Sequence, residues 1–390
     1  MTGFLVGDYI DKRREEQLKI SQSKNIKIQH ETLKKDGEEY DKAIINNKTL
    51  DNKEQFKTAS AALTPSAKDY YAQIGKTYAN KNDSVEKKYL ITGYTNDIGS
   101  ESNNQNLSEK RAKAIGSVLA QNGVKKSNIY YQGAGSAKPR YDNNAQSGKD
   151  ENARFEIIEF NSVEEIAEYA TQNQSNQTYF SKANTASKQN KTIIKTPEKY
   201  KVDFGGVSSK NEILALRSEF GSEAKSGFFP TKAYADDAVM LNCVNTKYIE
   251  IPQAKALSDN KTILNTSKYK TALNASSWSG SANKHLIGIA PISVLNDGSV
   301  IENPKVYLYK DYIVGQKAKA NQTISTKINT KQGSNGLLYR VYANNNDSPF
   351  SCMDIVFDNK NPKQAKGYIY YSGANGKLYE KKFDLQALKQ

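Results

Sequence analysis

The hydrophobic pattern of this 390-residue chain changes character once, across a polar stretch near its middle. Before residue 171, helix-period and strand-period segments alternate; after about 196 only strand-period runs remain. The stretch between, 171–193, is crowded with Asn, Gln, Ser, Thr and Lys, a composition that buries no core and reads as linker. The pattern predicts an α+β protein of two domains, which the length allows at ~100–200 residues each. The expected organisation is an N-terminal helix at 1–24 and an α/β domain at 25–162. A short helix and linker at 163–195 and a mostly β domain at 196–390 complete it.

In the first half, 8–21 is charged and helix-favouring, with Ile10 and Leu18 its main apolar members. Ile-containing runs at 25–31 and 42–46, separated by Lys34-Lys35-Asp36-Gly37, predict a strand pair. Thr64-Pro65-Ser66 starts a helix running to about 80, with Pro65 near N1, where its missing N–H costs nothing. Residues 88–94 alternate as a strand. From 104 to 121, Leu107, Ala114, Ile115, Val118 and Leu119 form a helical stripe, and Gly123 follows as its C′ residue. Strands at 128–132 and 154–160 flank a Gly-rich loop at 133–139, and 163–170 reads as a further helix. The order β-β-α-β-α-β-β predicts a compact α/β sandwich.

In the second half, β-branched and Tyr-rich runs fall at 286–290, 306–314, 323–329, 337–343, 352–357 and 366–371. Gly373-Ala374-Asn375-Gly376 joins 367–371 to 377–385 as a hairpin. The expected architecture is a sandwich or a barrel with a less regular start at 200–285.

Composition narrows the function classes. Only 37% of residues are apolar, mean hydropathy is −0.75, and no run approaches the ~20 apolar residues of a membrane-spanning helix. The net charge of +14 sits mainly in the second half: residues 1–160 carry 26 Lys+Arg against 22 Asp+Glu, the remainder 30 against 20. Such a surface suits nucleic acid, anionic lipid or an acidic polymer. Lys dominates it and no arginine-rich block or nucleic-acid motif appears, so no nucleic-acid partner is expected. The two cysteines, Cys243 and Cys352, and two histidines, His30 and His285, have no zinc spacing, and no metal or other cofactor is expected. The cysteines read equally as one disulfide or as two buried thiols. Hydrolase, phosphate-loop and dinucleotide signatures are absent, so no enzyme is expected. His285, after Ser279, Ser281 and Asn283, is the one conceivable catalytic base, against its plainer reading as a strand residue. The N-terminus, Met1 to Asp8, lacks the charged region and apolar length of a signal peptide.

The informative region is 93–157. It reads Gly93-Tyr94-Thr95-Asn96-Asp97-Ile98-Gly99, then Asn104-x-x-Leu107-Ser108-x-x-Arg111-Ala112-x-x-Ile115. Gly133-x-Gly135-x-x-x-Pro139 and Asn152-Ala153-Arg154-Phe155-Glu156-Ile157 follow. These four motifs, in this order, resemble the OmpA-like peptidoglycan-binding domain. Upstream, Phe56-x-x-x-Ser60-x-x-Leu63-x-Pro65 resembles that family's entry into its first helix, and Gly7-Asp8-Tyr9-Ile10-Asp11-Lys12 resembles the segment after a glycine zipper in its outer-membrane lipoproteins. The resemblance covers about residues 3–160. It implies a β/α/β/α/β-β sandwich, a periplasmic, outer-membrane-associated location, and a signal peptide and lipid anchor removed ahead of this segment. Membrane contact is then expected only through that anchor or the N-terminal segment. The oxidising compartment in turn favours one Cys243–Cys352 disulfide.

The family's ligand is the diaminopimelate of the peptidoglycan stem peptide, whose side chain ends in an ammonium and a carboxylate. Arg111 occupies the family's arginine position, and a guanidinium grips a carboxylate through charge-assisted, often bidentate bonds. Asn104, an N-cap candidate, and the first free N–H groups of its helix add donors at a positive dipole end. Leu107 forms an apolar floor, Thr95 and Asn96 approach from the strand end, and Arg154 adds a second guanidinium. The sequence departs from the pattern at Asn96, where the family has aspartate, with Asp97 one residue on. It departs again at Ala153 and Lys149, where the family has arginines. These departures keep two alternatives open: a degenerate domain serving as an assembly module of an envelope or secretion complex, and a glycan- or peptide-active hydrolase in the second half. Arg111 in turn has a structural reading, as an ion pair with Asp97 or Asp150. An envelope protein partner is expected through the second half.

Overall fold

The computed structural model describes residues 3–35, 37–79, 86–96, 98, 100–136, 140–141, 146–171, 180–182, 196–208, 213–222, 238–250, 253–264, 268–296, 298–344 and 347–388. Helices are α1 (Gly3–Lys24), α2 (Pro65–Tyr78), α3 (Glu101–Gln121), α4 (Gln146–Asn152), α5 (Val163–Thr171) and α6 (Ile213–Phe220). The strands to residue 160 are β1 (Ile28–Lys35), β2 (Glu38–Asn46), β3 (Lys88–Tyr94), β4 (Ile129–Gly135) and β5 (Arg154–Phe160). Four short strands follow: β6 (Phe180–Lys182), β7 (Val207–Ser208), β8 (Ala238–Met240) and β9 (Lys255–Ala256). The remainder are β10 (Ser276–Ala282), β11 (His285–Ile292), β12 (Lys305–Tyr309), β13 (Gln322–Gln332), β14 (Gly336–Ala343), β15 (Cys352–Asp358), β16 (Gln364–Ser372) and β17 (Leu378–Ala387). The described residues form two units, 3–171 with 253–264, and 180–250 with 268–388.

The first unit is a six-stranded sheet in the order β1-β2-β5-β3-β4-β9, with β3 and β4 parallel and the other pairs antiparallel. Strand alternation sends every second side chain to one face. Ile45, Ile91, Ile129, Phe155 and Ile157 meet α1–α3 through Ile20, Tyr71, Ile74, Ile115 and Leu119. Tyr40, Leu90, Ile158 and Phe160 meet Ile166 and Tyr169 of α5 on the other face. Thr64 caps α2, its side chain accepting from Ala67 N, and Pro65 opens the helix as the sequence predicts. Segment 253–264 carries no sign in the sequence of joining this unit. It pairs with β4 at the sheet edge, buries Leu257 in the helix-side core and ion-pairs Lys255 with Glu109 at 2.7 Å.

Of the two architectures expected for the second unit, the chain adopts the barrel. Strands β10–β17 run up and down antiparallel, and β17 pairs back onto β10 to close it. Its interior is filled by Trp278, Ile287, Ile289, Tyr339, Met353, Ile355, Phe383 and their neighbours. The run expected at 306–314 ends as strand at Tyr309, and β10 was not anticipated. On the outside, α6 and Met240–Val244 cover Leu338, Val356, Tyr368 and Tyr370 of β14–β16. The Cys243–Cys352 disulfide ties this covering to β15. Beside it, Arg340 and Asp354 form a fully buried pair at 2.7 Å, completed by Leu241 O and Cys243 N. No helix among the described residues is long and apolar enough to cross a membrane.

Candidate functional site

Helix α3 approaches the parallel β3–β4 pair so closely that a Cβ at Gly93 would collide with Ser108 O, and one at Gly133 with Glu109 N. These two glycines, prominent in the motifs, are therefore what sets the helix against the strand ends. Ser108, wholly buried, fixes the approach: its Oγ donates to Gln105 O at 2.9 Å and accepts from Gly135 N at 3.0 Å. Thr95 N donates to Gly135 O at 2.8 Å, holding the end of β3 beside the start of α3.

The helix begins a turn earlier than its apolar stripe predicts. Ser100 is the N-cap, accepting from Asn103 N at 3.2 Å, so Asn104 stands inside the helix and does not cap it. The stripe missed this turn because Glu101, Ser102 and Asn103 are all polar in the sequence; the polar cap, not periodicity, marks the start. Freed from capping, Asn104 reaches across: its Nδ2 donates to Asn96 O at 3.3 Å. Asn96 Oδ1 accepts from Ile98 N at 3.2 Å and so closes its own loop. Thr95 is buried, and its Oγ1 has no hydrogen-bond partner among the described residues.

Leu107 and Arg111 follow Asn104 along the same stripe, at i+3 and i+7. Leu107 is half-buried. Arg111 is half-buried too, its Cζ lying 4.9 Å from the centroid of the Phe56 ring and its Nε donating to Ser60 O at 2.9 Å. Among the described residues, no carboxylate oxygen comes within 4.0 Å of its guanidinium. Burial pushes its pKa down from the usual value, opposed by the charge of Glu54, and an arginine remains a cation throughout. Asp150, one proposed structural partner, pairs with Lys48 at 2.9 Å instead. Asp97, the other, lies outside the described residues.

Arg154 is placed elsewhere. It stands on the α5 face of the sheet, 3% exposed, with Nε 2.9 Å from Glu156 Oε1 and Cζ 3.8 Å from the Tyr94 ring centroid. The period of two along β5 separates it from Phe155, which faces α3. The structure thus ties Asn104 to Asn96 at the end of β3, carries Leu107 and Arg111 further along the same helix, and sets Arg154 behind the sheet. Phe56 and Ser60, which the sequence offered only as a helix entry, seat Arg111; their separation from it in the chain hid that role. Asn152, buried, holds the 140–141 loop through bonds to Arg140 N and Tyr141 N at 2.7 and 3.0 Å.

In the second unit His285 Nδ1 accepts from Asp311 N at 3.2 Å, and its ring lies edge-on to Phe204 at 5.9 Å. Among the described residues no hydroxyl or carboxylate hydrogen-bonds it. No group of His, Cys, Asp and Glu among them is arranged to hold a metal ion.

The OmpA family model matches residues 55–153. The chain is 39% identical over 71 residues to the outer-membrane lipoprotein YfiB of Pseudomonas aeruginosa, covering 18% of this chain and 42% of that protein. It is 33% identical over 117 residues to the probable lipoprotein YiaD of Escherichia coli, covering 30% and 51%. The chain therefore spans about half or less of these curated relatives. The cell wall anchor of the T6SS from Pseudomonas aeruginosa aligns over 38% of this chain and 96% of its own, at 17% identity and TM-score 0.30. Residues 55–153, which contain the Arg111 shelf and both glycine contacts, are a domain of the OmpA family.

Proposed function

We propose that the first unit holds peptidoglycan noncovalently, as the cell-wall tether of an outer-membrane-associated envelope protein. The diaminopimelate carboxylate of the stem peptide binds Arg111, with Asn104 and Leu107 on the helix and Thr95 and Asn96 on the facing strand end shaping the pocket. The observation that carries this reading is Arg111 itself. It is a half-buried guanidinium shelved on Phe56 and Ser60 O with no carboxylate of its own among the described residues. A cation partly stripped of water and short of an anion favours a carboxylate brought by a ligand. The family match and the lipoprotein relatives support the same reading. The barrel contributes a separate surface for an envelope partner, and no reaction is proposed.

One observation favours the second reading, an assembly module with a weakened pocket. Asn96 Oδ1 already serves Ile98 N, and an amide brings no charge to the ligand's ammonium. Losing such an ion pair costs about 1–3 kcal/mol, roughly a factor of 5–150 in affinity. The test is calorimetric titration of the whole chain with a diaminopimelate-containing muropeptide, because segment 253–264 is part of the first unit. Arg111→Ala is expected to lose binding and Asn96→Asp to tighten it by roughly that factor. Undiminished binding by Arg111→Ala overturns the anchor; binding seen only in Asn96→Asp establishes the assembly reading.

A further inference from the structure

The connection between β12 and β13, residues 310–321, has a pinned base and an apolar tip. Tyr312 N donates to Lys284 O at 2.8 Å, Asp311 N to His285 Nδ1 at 3.2 Å, Asn321 N to Leu308 O at 2.8 Å, and Lys310 N to Asn321 Oδ1 at 2.6 Å. The Tyr309 and Tyr312 rings pack edge to face at 6.2 Å beneath the turn. Above this base Asp311 and Gly315 take positive φ, and Gln316 N closes onto Ile313 O at 3.2 Å. The turn so formed presents Ile313 60% exposed and Val314 90% exposed. Adjacent branched aliphatic side chains held out on a fixed turn lose favourable burial in water and mark a contact surface.

The surroundings name the occupant. Lys310, Lys317 and Lys319 lie in the loop, against Asp311 as its one acid, and the exposed Lys284 sits in the adjoining β10–β11 turn. In an up-and-down barrel the turns at 373–377 and 344–351 fall at this same end, adding exposed Lys377 and, with opposite sign, Asp347; exposed Asp203, whose backbone O accepts from Asn283 Nδ2 of the β10–β11 turn, is a further acid there. A convex aliphatic tip ringed by lysines, with tyrosines at its base, complements a deformable apolar phase under an anionic surface. We propose that this loop docks the barrel on an anionic phospholipid bilayer. Ile313 and Val314 enter the boundary between headgroups and acyl chains, and Lys284, Lys310, Lys317 and Lys319 lie against the phosphates. The proposal rests on the second unit alone and is independent of the peptidoglycan reading.

The test uses the whole chain with vesicles of phosphatidylglycerol and phosphatidylcholine, and with phosphatidylcholine vesicles alone. Val314→Cys carries an environment-sensitive fluorophore; the native cysteines are joined to each other and leave this thiol as the labelling site. The expected result is co-sedimentation with the anionic vesicles, a blue shift of the label, and weakening by added salt. In the double variant Ile313→Asp/Val314→Asp the binding falls about tenfold, while the thermal midpoint stays put because both side chains are exposed. Absent vesicle binding, or equal binding by the double variant, overturns the proposal. So does an unshifted label, which leaves a pocketed protein as the occupant.

Discussion

The two units hold themselves together by different means. The first is an open sheet whose helices are latched by buried charge. Arg13 of α1 reaches Asp41 of β2 at 2.9 Å and Glu159 of β5, and Arg154 pairs with Glu156 behind the sheet. The second is a closed barrel with a filled apolar interior, the buried Arg340–Asp354 pair, and a covering segment fastened by a disulfide. A barrel leaves few strand edges to protect, whereas an open sheet needs partners along its margins. The first unit is therefore the one sensitive to charge, and the second the one sensitive to thiol chemistry. Within the first unit, Arg13 and Arg154 pair with carboxylates, whereas among the described residues none comes within 4.0 Å of the Arg111 guanidinium.

The largest effect expected from this contrast is in the barrel. Replacing Cys243 and Cys352 together by Ala releases a cross-link between residues 109 positions apart, worth about 4–5 kcal/mol in the chain-entropy account. Hydrogen exchange followed through a urea titration should show β14–β16 losing protection while β1–β5 keep theirs. Equal loss in both units would erase the distinction.

Next in size is the pair of arginines in the first unit. Arg154→Ala leaves Glu156 in the interior with Lys42, 3.9 Å away, as its remaining ion-pair partner among the described residues and Arg140 further off. A broken buried pair costs about 3–5 kcal/mol. Arg111→Ala removes a half-exposed side chain with one backbone hydrogen bond and a ring contact, about 1 kcal/mol. Chemical denaturation of the two variants measures the gap; similar losses would make Arg111 a structural arginine and remove the ground for a ligand there.

Acid sharpens the same contrast. Burial raises the Asp41 carboxyl, but the His30 ring 3.5 Å away and the charges of Arg13 and Arg14 outweigh it and bring its pKa to about 2, against 3.8 unperturbed. A carboxyl depressed in the folded state contributes stability above its unfolded pKa and loses it as pH falls through the folded one. The first unit should thus lose on the order of 2 kcal/mol through Asp41 between about pH 5 and pH 2. Asp354 in the barrel has the opposite sign: burial lifts its pKa above the usual value in spite of Arg340, so its contribution rises on acidification. Thermal melting read by hydrogen exchange along a descending pH series should find the first unit opening first.

Legibility followed the physics of each region. Strands β3 and β5 were readable to the residue, because β-branched and aromatic residues recur along both, and Pro65 after Thr64 marked the start of α2. Strand β10 was invisible because Ser276, Ser277, Ser279 and Ser281 carry no β-branched signal. Gly280 is there because a Cβ would strike Asp384 O where the barrel closes. Segment 253–264 was hidden for a different reason: two residues of strand and one buried Leu257 are too short to show a period. At the proposed site, motif spacing singled out Thr95, Asn96, Asn104, Leu107 and Arg111 as candidates. It could not tell the two arginines apart, since which face of a sheet a side chain takes depends on its register with neighbours not adjacent in sequence.

The smallest prediction separates capping from positioning at the start of α3. Ser100→Ala removes the side-chain acceptor of Asn103 N and should cost about 1 kcal/mol of stability, the usual worth of an N-cap, with muropeptide binding little changed. Asn104→Ala leaves that cap intact and removes the bond to Asn96 O. Its stability cost should be smaller, because the bond is long and half-exposed, and its effect on binding larger, because the 95–98 loop loses its tie to the helix that carries Arg111. A denaturation midpoint and a muropeptide titration on each variant give four numbers. If Asn104→Ala instead carries the greater stability loss and leaves binding intact, Asn104 is acting as the cap its sequence position suggested, and the strand end and helix start do not cooperate as one site.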